Sequence, residues 1–225
     1  MWLVSNSRGL GWSLLVALLL LTLTAHSAKA DTLLSVTGPS SSSLPVFFSA
    51  DWGQWLGVSF TLSNTWTDVS FTASFSFSAQ GAPVSALLTD AIGPGVYSGT
   101  ILASSTTPSL VWGPNTVLSG LTLGPGTYYL LFTTDQSQTA ALPNIEPGTA
   151  SVFGAPGVTL GTFWYASDAN PPGLDLAFPP ASSWYAMNNS FPIEITGTQV
   201  PEPATLILVA GGLLGLAGLR RTVRP

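Results

Sequence analysis

The stretch VSFTASFSF, Val69–Phe77, alternates apolar and polar side chains without interruption over nine residues. Successive side chains of a β-strand point to opposite faces, so this alternation predicts a strand with one buried and one solvated face. No helical period appears between residues 31 and 199. The stretch therefore assigns this part of the chain to the all-β class.

The sequence around this strand predicts two β-hairpins. Leu56–Leu62 has apolar side chains at alternate positions and is expected to pair with Val69–Phe77 across the short intervening turn. Val117–Leu123 is expected to pair with Thr127–Thr133 across a Gly-Pro-Gly turn. Both faces of Thr127–Thr133 are apolar, which predicts a central strand that is covered on each side.

Further short strands are expected along the rest of the chain. They are Thr32–Thr37, Leu44–Ala50, Ala82–Thr89, Tyr97–Ala103, Thr149–Phe153, Val158–Ala166, Trp184–Met187 and Phe191–Thr196. Eighteen prolines and 23 glycines separate short apolar segments, as is typical of sandwiches and jelly rolls. The prediction is an antiparallel β-sandwich or jelly roll of about ten short strands, forming one extracellular domain over residues 31–199. An N-terminal signal helix and a C-terminal transmembrane helix are expected to flank it.

Residues 1–30 have the features of a secretory signal peptide. A positive start precedes a ten-residue apolar core, Leu14–Leu23, and Ala28 and Ala30 frame an A-x-A cleavage site. The alternative is an uncleaved signal anchor. A core of ten residues is short for a bilayer span, so cleavage before Asp31 is expected.

The segment Ala204–Leu219 carries no charged residue and is followed by a basic stop of Arg220, Arg221 and Arg224. As a helix it would reach about 24 Å, which is short for a bilayer core of about 30 Å. The alternative is a buried helix of a soluble domain, but the segment lacks a polar face. A transmembrane span over 204–219 with a cytoplasmic tail, residues 220–225, is therefore expected.

A polar motif stands at the start of this span. It consists of Val200, Pro201, Glu202, Pro203, Ala204 and Thr205. This motif, a short Gly/Leu-rich span and an Arg cluster, in that order over residues 200–225, resemble the PEP-CTERM protein-sorting domain. The resemblance implies a Gram-negative bacterium, recognition by an exosortase (a membrane-bound cysteine protease-like enzyme) and removal of the tail near Pro201–Pro203. It also implies a host that makes exopolysaccharide and biofilm.

The charge distribution excludes several functions for residues 31–201. All five basic residues and the one histidine lie outside this stretch, which carries nine acids, and the chain has no cysteine. Without basic side chains the exported part cannot neutralise phosphates, so nucleic-acid binding is excluded. The absences also remove Ser-His-Asp and Cys-His triads, Schiff-base lysines and histidine metal sites. A non-catalytic protein without a cofactor is therefore expected.

Two chemistries based on oxygen-bearing side chains stay open. Paired carboxylates of the glycosidase kind remain an alternative, although no acid stands in a recognisable motif and solubilising roles fit the acids better. Asp168, Asn170 and Asp175 surround a Gly turn and form a weak Ca²⁺ candidate. Their spacing misses the EF-hand pattern, so a plain Asx-rich turn is favoured.

The exported part is rich in aromatic residues, and aromatic faces can stack on sugar rings. Most of them are expected to pack in the core, because each buries a large area. Those beside turns are the candidates for exposed carbohydrate contacts: Trp52, Trp55, Trp112, Trp184 and Tyr185.

The sequence thus predicts an exported, non-catalytic cell-surface or matrix protein. Signal peptidase and an exosortase are its expected partners during export. The membrane holds the precursor, and the mature protein is expected at the cell surface or outside a Gram-negative cell. The alternative is a carbohydrate-binding module that binds exopolysaccharide through exposed aromatic residues.

Overall fold

A computed structural model describes residues 30–39, 46–48, 54–75, 77–78, 83–92, 101–107, 111–134, 140–167, 184–201 and 209–212. Fourteen strands lie in these ranges. They are β1 (Asp31–Thr37), β2 (Val46–Phe48), β3 (Gln54–Leu62), β4 (Trp66–Phe75), β5 (Phe77–Ser78), β6 (Val84–Thr89), β7 (Ile101–Thr107), β8 (Gly113–Leu123), β9 (Gly126–Thr134), β10 (Ala140–Leu142), β11 (Ser151–Gly154), β12 (Val158–Ser167), β13 (Trp184–Met187) and β14 (Ile193–Gln199).

Two antiparallel sheets form most of the molecule. A five-stranded sheet has the order β11-β1-β14-β4-β8, and a six-stranded sheet has the order β13-β12-β3-β9-β6-β7. A third, small sheet has the order β2-β10-β5. Side chains from both large sheets share one buried core, and Phe60 of β3 packs on Phe71 of β4 with ring centroids 5.6 Å apart. The all-β, antiparallel prediction is confirmed.

The strand that set this prediction is β4, which lies between β14 and β8. Its apolar residues Val69, Phe71, Ala73 and Phe75 are buried, and the polar residues between them are not. The alternation of the sequence therefore corresponds to one face in the core and one face toward solvent. A strand with one apolar face needs a single covering layer, and the six-stranded sheet provides it.

The strand β9 has two buried faces, as its sequence predicts. Leu130 and Phe132 point into the core between the sheets, whereas Leu131 belongs to a second apolar cluster on the outer face of the six-stranded sheet. β9 pairs with β3 on one side and β6 on the other. A fully buried, central strand is the position in which a continuous apolar run is stable.

Both predicted hairpins are wrong. β3 pairs with β12 and β9 in the six-stranded sheet, whereas β4 pairs with β14 and β8 in the five-stranded sheet. β8 and β9 likewise belong to different sheets. Each short turn carries the chain from one sheet to the other, because the apolar faces of the joined strands then meet across the core. Among the described strands, two pairs of consecutive strands do form hairpins, β6 with β7 and β12 with β13.

The number and ends of the strands also differ from expectation. The structure describes fourteen strands rather than about ten. β10 was not predicted, and Phe77, the last residue of the predicted strand Val69–Phe77, belongs to β5 in the third sheet because β4 ends at Phe75. β2 lies within the predicted strand Leu44–Ala50. β7 begins at Ile101, and the part of its predicted strand at 97–100 lies outside the described residues. β13 has the predicted bounds.

The flanking helices fall almost wholly outside the described residues. Residues 209–212 are helical, within the expected span. In the described part of the chain, no helix has the length and apolar character needed to cross a membrane. The domain boundaries at 30 and 199 stay predictions.

Candidate functional site

The predicted sorting motif begins where the last strand ends. Gln199, the final residue of β14, stands opposite Trp66 at the start of β4. The next residue, Val200, donates its backbone N–H to the carbonyl oxygen of Thr65 at 2.9 Å. Pro201 is exposed, and Glu202, Pro203, Ala204 and Thr205 lie outside the described residues. The motif therefore follows the folded sandwich with no spacer.

The predicted signal-cleavage site lies beside this junction. β1 begins at Asp31, which pairs with Gly197 of β14, and Ala30 before it is exposed. Ala28 lies outside the described residues. Because β1 and β14 are antiparallel neighbours, the start of one strand adjoins the end of the other. The two predicted processing sites thus lie at the same end of the sandwich.

Three short turns share this end, and each joins the two large sheets. Residues 63–65 connect β3 to β4, residues 124–125 connect β8 to β9, and residues 155–157 connect β11 to β12. We call these turns, the start of β1 and the end of β14 the closed end. The opposite end, where β1 and β4 finish and β8 and β14 begin, is the far end.

Backbone hydrogen bonds tie the turns of the closed end together. The Ser63 N–H donates to the Gly157 carbonyl oxygen at 2.7 Å, and the Ala155 N–H donates to that of Leu33 at 2.8 Å. Gly157 has a φ of +79°, and a Cβ added there would meet the Asn64 amide nitrogen at 3.0 Å. Only glycine adopts this backbone conformation without strain, and it also leaves room for the neighbouring turn.

Tyr128 stabilises the turn at residues 124–125 from the core side. Its hydroxyl group donates to the Gly124 carbonyl oxygen at 2.8 Å, and its ring stacks on Phe60 with centroids 5.6 Å apart. Burial raises the pKa of the Tyr128 hydroxyl above its ordinary value of 10.0, and the negative charge of Asp90 adds to this. The closed end is therefore fixed by a neutral phenol.

The proposed carbohydrate contacts do not form one surface. Trp55 and Trp184 are only 5% and 9% exposed, so the expectation that they are surface platforms is wrong. They pack with Leu87, Leu131 and Ala166 on the outer face of the six-stranded sheet. Ala166 stands opposite both tryptophans in the sheet register, and its small side chain leaves room for the two indoles. Trp52 lies outside the described residues.

Trp112 is the exposed aromatic residue that the structure supports with a defined turn. Its side chain is 87% exposed at the far end, just before β8. Asn115 braces this turn: its amide nitrogen donates to the carbonyl oxygens of Val111 and Gly113, both at 2.8 Å, and its Oδ1 accepts from the Val111 N–H at 3.1 Å. Tyr185 is also exposed, on the edge strand β13.

Two features of the surface were not anticipated. The bracing role of Asn115 is one, although an Asn that follows Trp-Gly-Pro is a turn signal that the sequence displays. The other is the edge strand β11, in which Val152 and Phe153 are 52% and 54% exposed. Nothing in the sequence distinguishes β11 from a strand covered on one face.

The acidic residues that the structure describes are all on the surface. Asp31, Asp68, Asp90, Glu146 and Glu194 are exposed, and Glu194 accepts a hydrogen bond from the Thr32 hydroxyl at 3.2 Å. Among the described residues, no three groups of metal-binding type come together. The weak Ca²⁺ candidate, Asp168, Asn170 and Asp175, lies outside them, as do the arginines of the basic stop, Arg220, Arg221 and Arg224.

Comparison with known families assigns the tail. Residues 199–221 match the family model of the PEP-CTERM protein-sorting motif. The matched range begins at the last residue of β14, and the resemblance noted in the sequence is confirmed. No curated protein matches the chain. The sorting match ends at the tail, so the role of the sandwich rests on its own geometry.

Proposed function

We propose that this chain is an exported, non-catalytic protein of the cell surface or extracellular matrix, sorted by an exosortase through its C-terminal motif. The observation that carries the proposal is the sorting motif at residues 199–221. Signal peptidase acts before Asp31, the apolar span holds the precursor in the membrane, and the exosortase acts near Pro201–Pro203. The mature protein then resides on the surface of, or outside, a Gram-negative cell.

The side-chain chemistry of the sandwich supports a non-catalytic role. Residues 31–201 contain no lysine, arginine, histidine or cysteine. The described carboxylates, those of Asp31, Asp68, Asp90, Glu146 and Glu194, are all exposed to solvent. Solubility is the role that fits them.

The intact mass of the protein from its native host tests the proposal. A mass matching residues 31 to about 201, with or without an attached group, is the expected result. A mass running from Asp31 through Pro225 would contradict sorting by cleavage and would leave a short membrane anchor. The variant Glu202→Ala is expected to stop processing and to accumulate the uncleaved precursor. Normal maturation of this variant would contradict recognition of the motif.

A second candidate function is the binding of neutral polysaccharide through exposed aromatic side chains. The observation that favours it is Trp112, which is 87% exposed on a turn that Asn115 holds in place. A rigid, exposed indole presents a flat apolar face at little cost in conformational entropy. Its position at the far end directs it away from the sorting motif.

The binding experiment uses exopolysaccharide purified from the host and the full mature protein. Trp112→Ala is expected to weaken retention at least tenfold. Phe153→Ala removes another exposed aromatic ring, 54% exposed on β11, and is the matched control that should retain binding. Equal retention of the wild-type protein and Trp112→Ala would contradict this function.

A further inference from the structure

The distance between the sandwich and its sorting motif is set by very few residues. Val200 is hydrogen-bonded to Thr65, and Glu202 is only two residues further on. Two extended residues span at most about 7 Å. A folded enzyme domain is about 30 Å across, several times this distance. An enzyme that holds Glu202 therefore touches the closed end of the sandwich.

We propose that the closed end is a docking surface for the membrane-bound enzyme that processes the sorting motif. The proposal rests on the proposed function, since it takes that enzyme to be an exosortase. It adds that the enzyme recognises a folded surface together with the linear motif. The surface consists of the turns 63–65, 124–125 and 155–157 beside the end of β14.

Unpairing of the last strand is the other way to expose the motif, and the contacts oppose it. Thr198 and Gln199 pair with Thr67 and Trp66, and the Thr67 hydroxyl donates to the Thr198 carbonyl oxygen at 3.4 Å. The indole of Trp66 lies in the core beneath this pairing and is 3% exposed. Separating β14 from β4 here would expose Trp66 to water, so the junction is expected to stay folded.

The residues of the closed end allow a partner protein to approach closely. Its turns carry small or rigid uncharged residues, among them Ser63, Gly124, Pro125, Pro156 and Gly157. The backbone bond from Ser63 to Gly157 holds two of the turns together, so the surface is formed before the partner arrives. A preformed surface loses little conformational entropy on binding.

A linker insertion tests the proposal in the native host. Twelve Gly/Ser residues placed between Gln199 and Val200 leave the hexapeptide Val200–Thr205 uninterrupted and add a root-mean-square reach of about 19 Å. The expected result is at least a fivefold slower conversion of precursor to mature protein in a pulse-chase experiment. The same twelve residues inserted at the far-end turn, between Pro147 and Gly148, serve as the control and should leave conversion unchanged. Conversion of the junction variant at or above the wild-type rate would overturn the proposal.

A pair of point variants tests the surface itself. Ser63→Arg places a large side chain on the closed end, and Ser151→Arg places it at an exposed position of the far end. Slower processing of Ser63→Arg alone is expected, with both proteins folded by circular dichroism. Equal rates would overturn the docking surface.

Failure of this proposal can be distinguished from failure of the sorting function. If Glu202→Ala stops processing while the junction linker has no effect, the enzyme recognises the motif but does not use the docking surface. If Glu202→Ala matures normally, the sorting function fails and the docking proposal fails with it.

Discussion

The two ends of the sandwich differ in how the chain turns. At the closed end, three connections of two or three residues cross between the sheets, and both predicted processing sites lie beside them. At the far end, longer connections leave the strands, including residues 38–45, 108–112 and 168–183. One longer connection, residues 90–100, leaves on the closed-end side. The surface next to the tail is thus formed by short turns, whereas the opposite surface is formed by longer connections.

The same difference appears in the exposure of two tryptophans. Trp66 at the closed end is 3% exposed, whereas Trp112 at the far end is 87% exposed. Burial at the closed end keeps the sandwich intact up to the sorting motif. Exposure at the far end leaves an indole free for a partner, on the side that faces away from the membrane in the proposed precursor. The comparison thus sets a buried indole beside the sorting motif against an exposed indole at the opposite end.

The largest expected effect comes from truncating these two tryptophans. Trp66→Ala removes a buried indole and is expected to lower the free energy of unfolding by about 3–5 kcal/mol. Trp112→Ala removes an exposed one and should change it by less than about 0.5 kcal/mol. Urea denaturation of the exported domain measures both. Equal losses would show that the turn before β8 is packed against the domain.

A smaller effect is expected from two glycines with the same backbone angle. Gly157 at the closed end and Gly148 at the far end both have a φ of +79°. Gly148→Ala is expected to cost about 1 kcal/mol, because a Cβ disfavours this conformation. Gly157→Ala should cost about 2–3 kcal/mol, because its Cβ also crowds Asn64. Thermal unfolding compares the two, and adding Asn64→Ala should recover part of the loss at Gly157 alone.

The neutral phenol of Tyr128 makes the closed end sensitive to alkali. Its pKa in the folded protein is raised above 10.0, so its contribution is complete below about pH 10 and is lost as the pH rises through the folded value. Tyr128→Phe is expected to lower stability by about 1 kcal/mol at neutral pH and to make the alkaline decline shallower. Tyr185→Phe, at an exposed position, is the control and should change neutral stability by less than about 0.5 kcal/mol. Denaturation midpoints from pH 7 to pH 12 test this, and an unchanged alkaline slope in Tyr128→Phe would contradict it.

The smallest expected effect concerns the turn that presents Trp112. Asn115→Ala removes three hydrogen bonds to backbone groups near the surface, with an expected cost of about 0.5–1 kcal/mol. Asn115→Asp keeps the acceptor for Val111 and should cost less. Limited proteolysis should cut near residues 111–113 faster in Asn115→Ala. An unchanged cleavage rate would mean that the turn holds its shape without this side chain.

The sequence predicted individual strands better than their partners. The strands predicted at Val69–Phe77, correct as far as Phe75, and at Thr127–Thr133 could be assigned because alternation and a two-sided apolar run report burial directly. Their pairing could not, because a short turn with Gly and Pro suits a hairpin and a crossing between sheets alike. The burial of Trp55 and Trp184 was missed for a related reason. A position beside a turn does not determine which face a strand presents to its neighbours.

The sequence by itself determined the fold class of this protein and its sorting signal. Alternation fixes the β period, the absence of basic residues and cysteine from the exported part limits its chemistry, and the motif at residues 199–221 marks it for sorting. These are local properties of consecutive residues. The tertiary structure decided which strands pair, which tryptophans are buried, and that Asp31 lies beside Gly197. Such contacts join residues far apart in the chain, and they depend on how whole apolar faces meet rather than on any one segment.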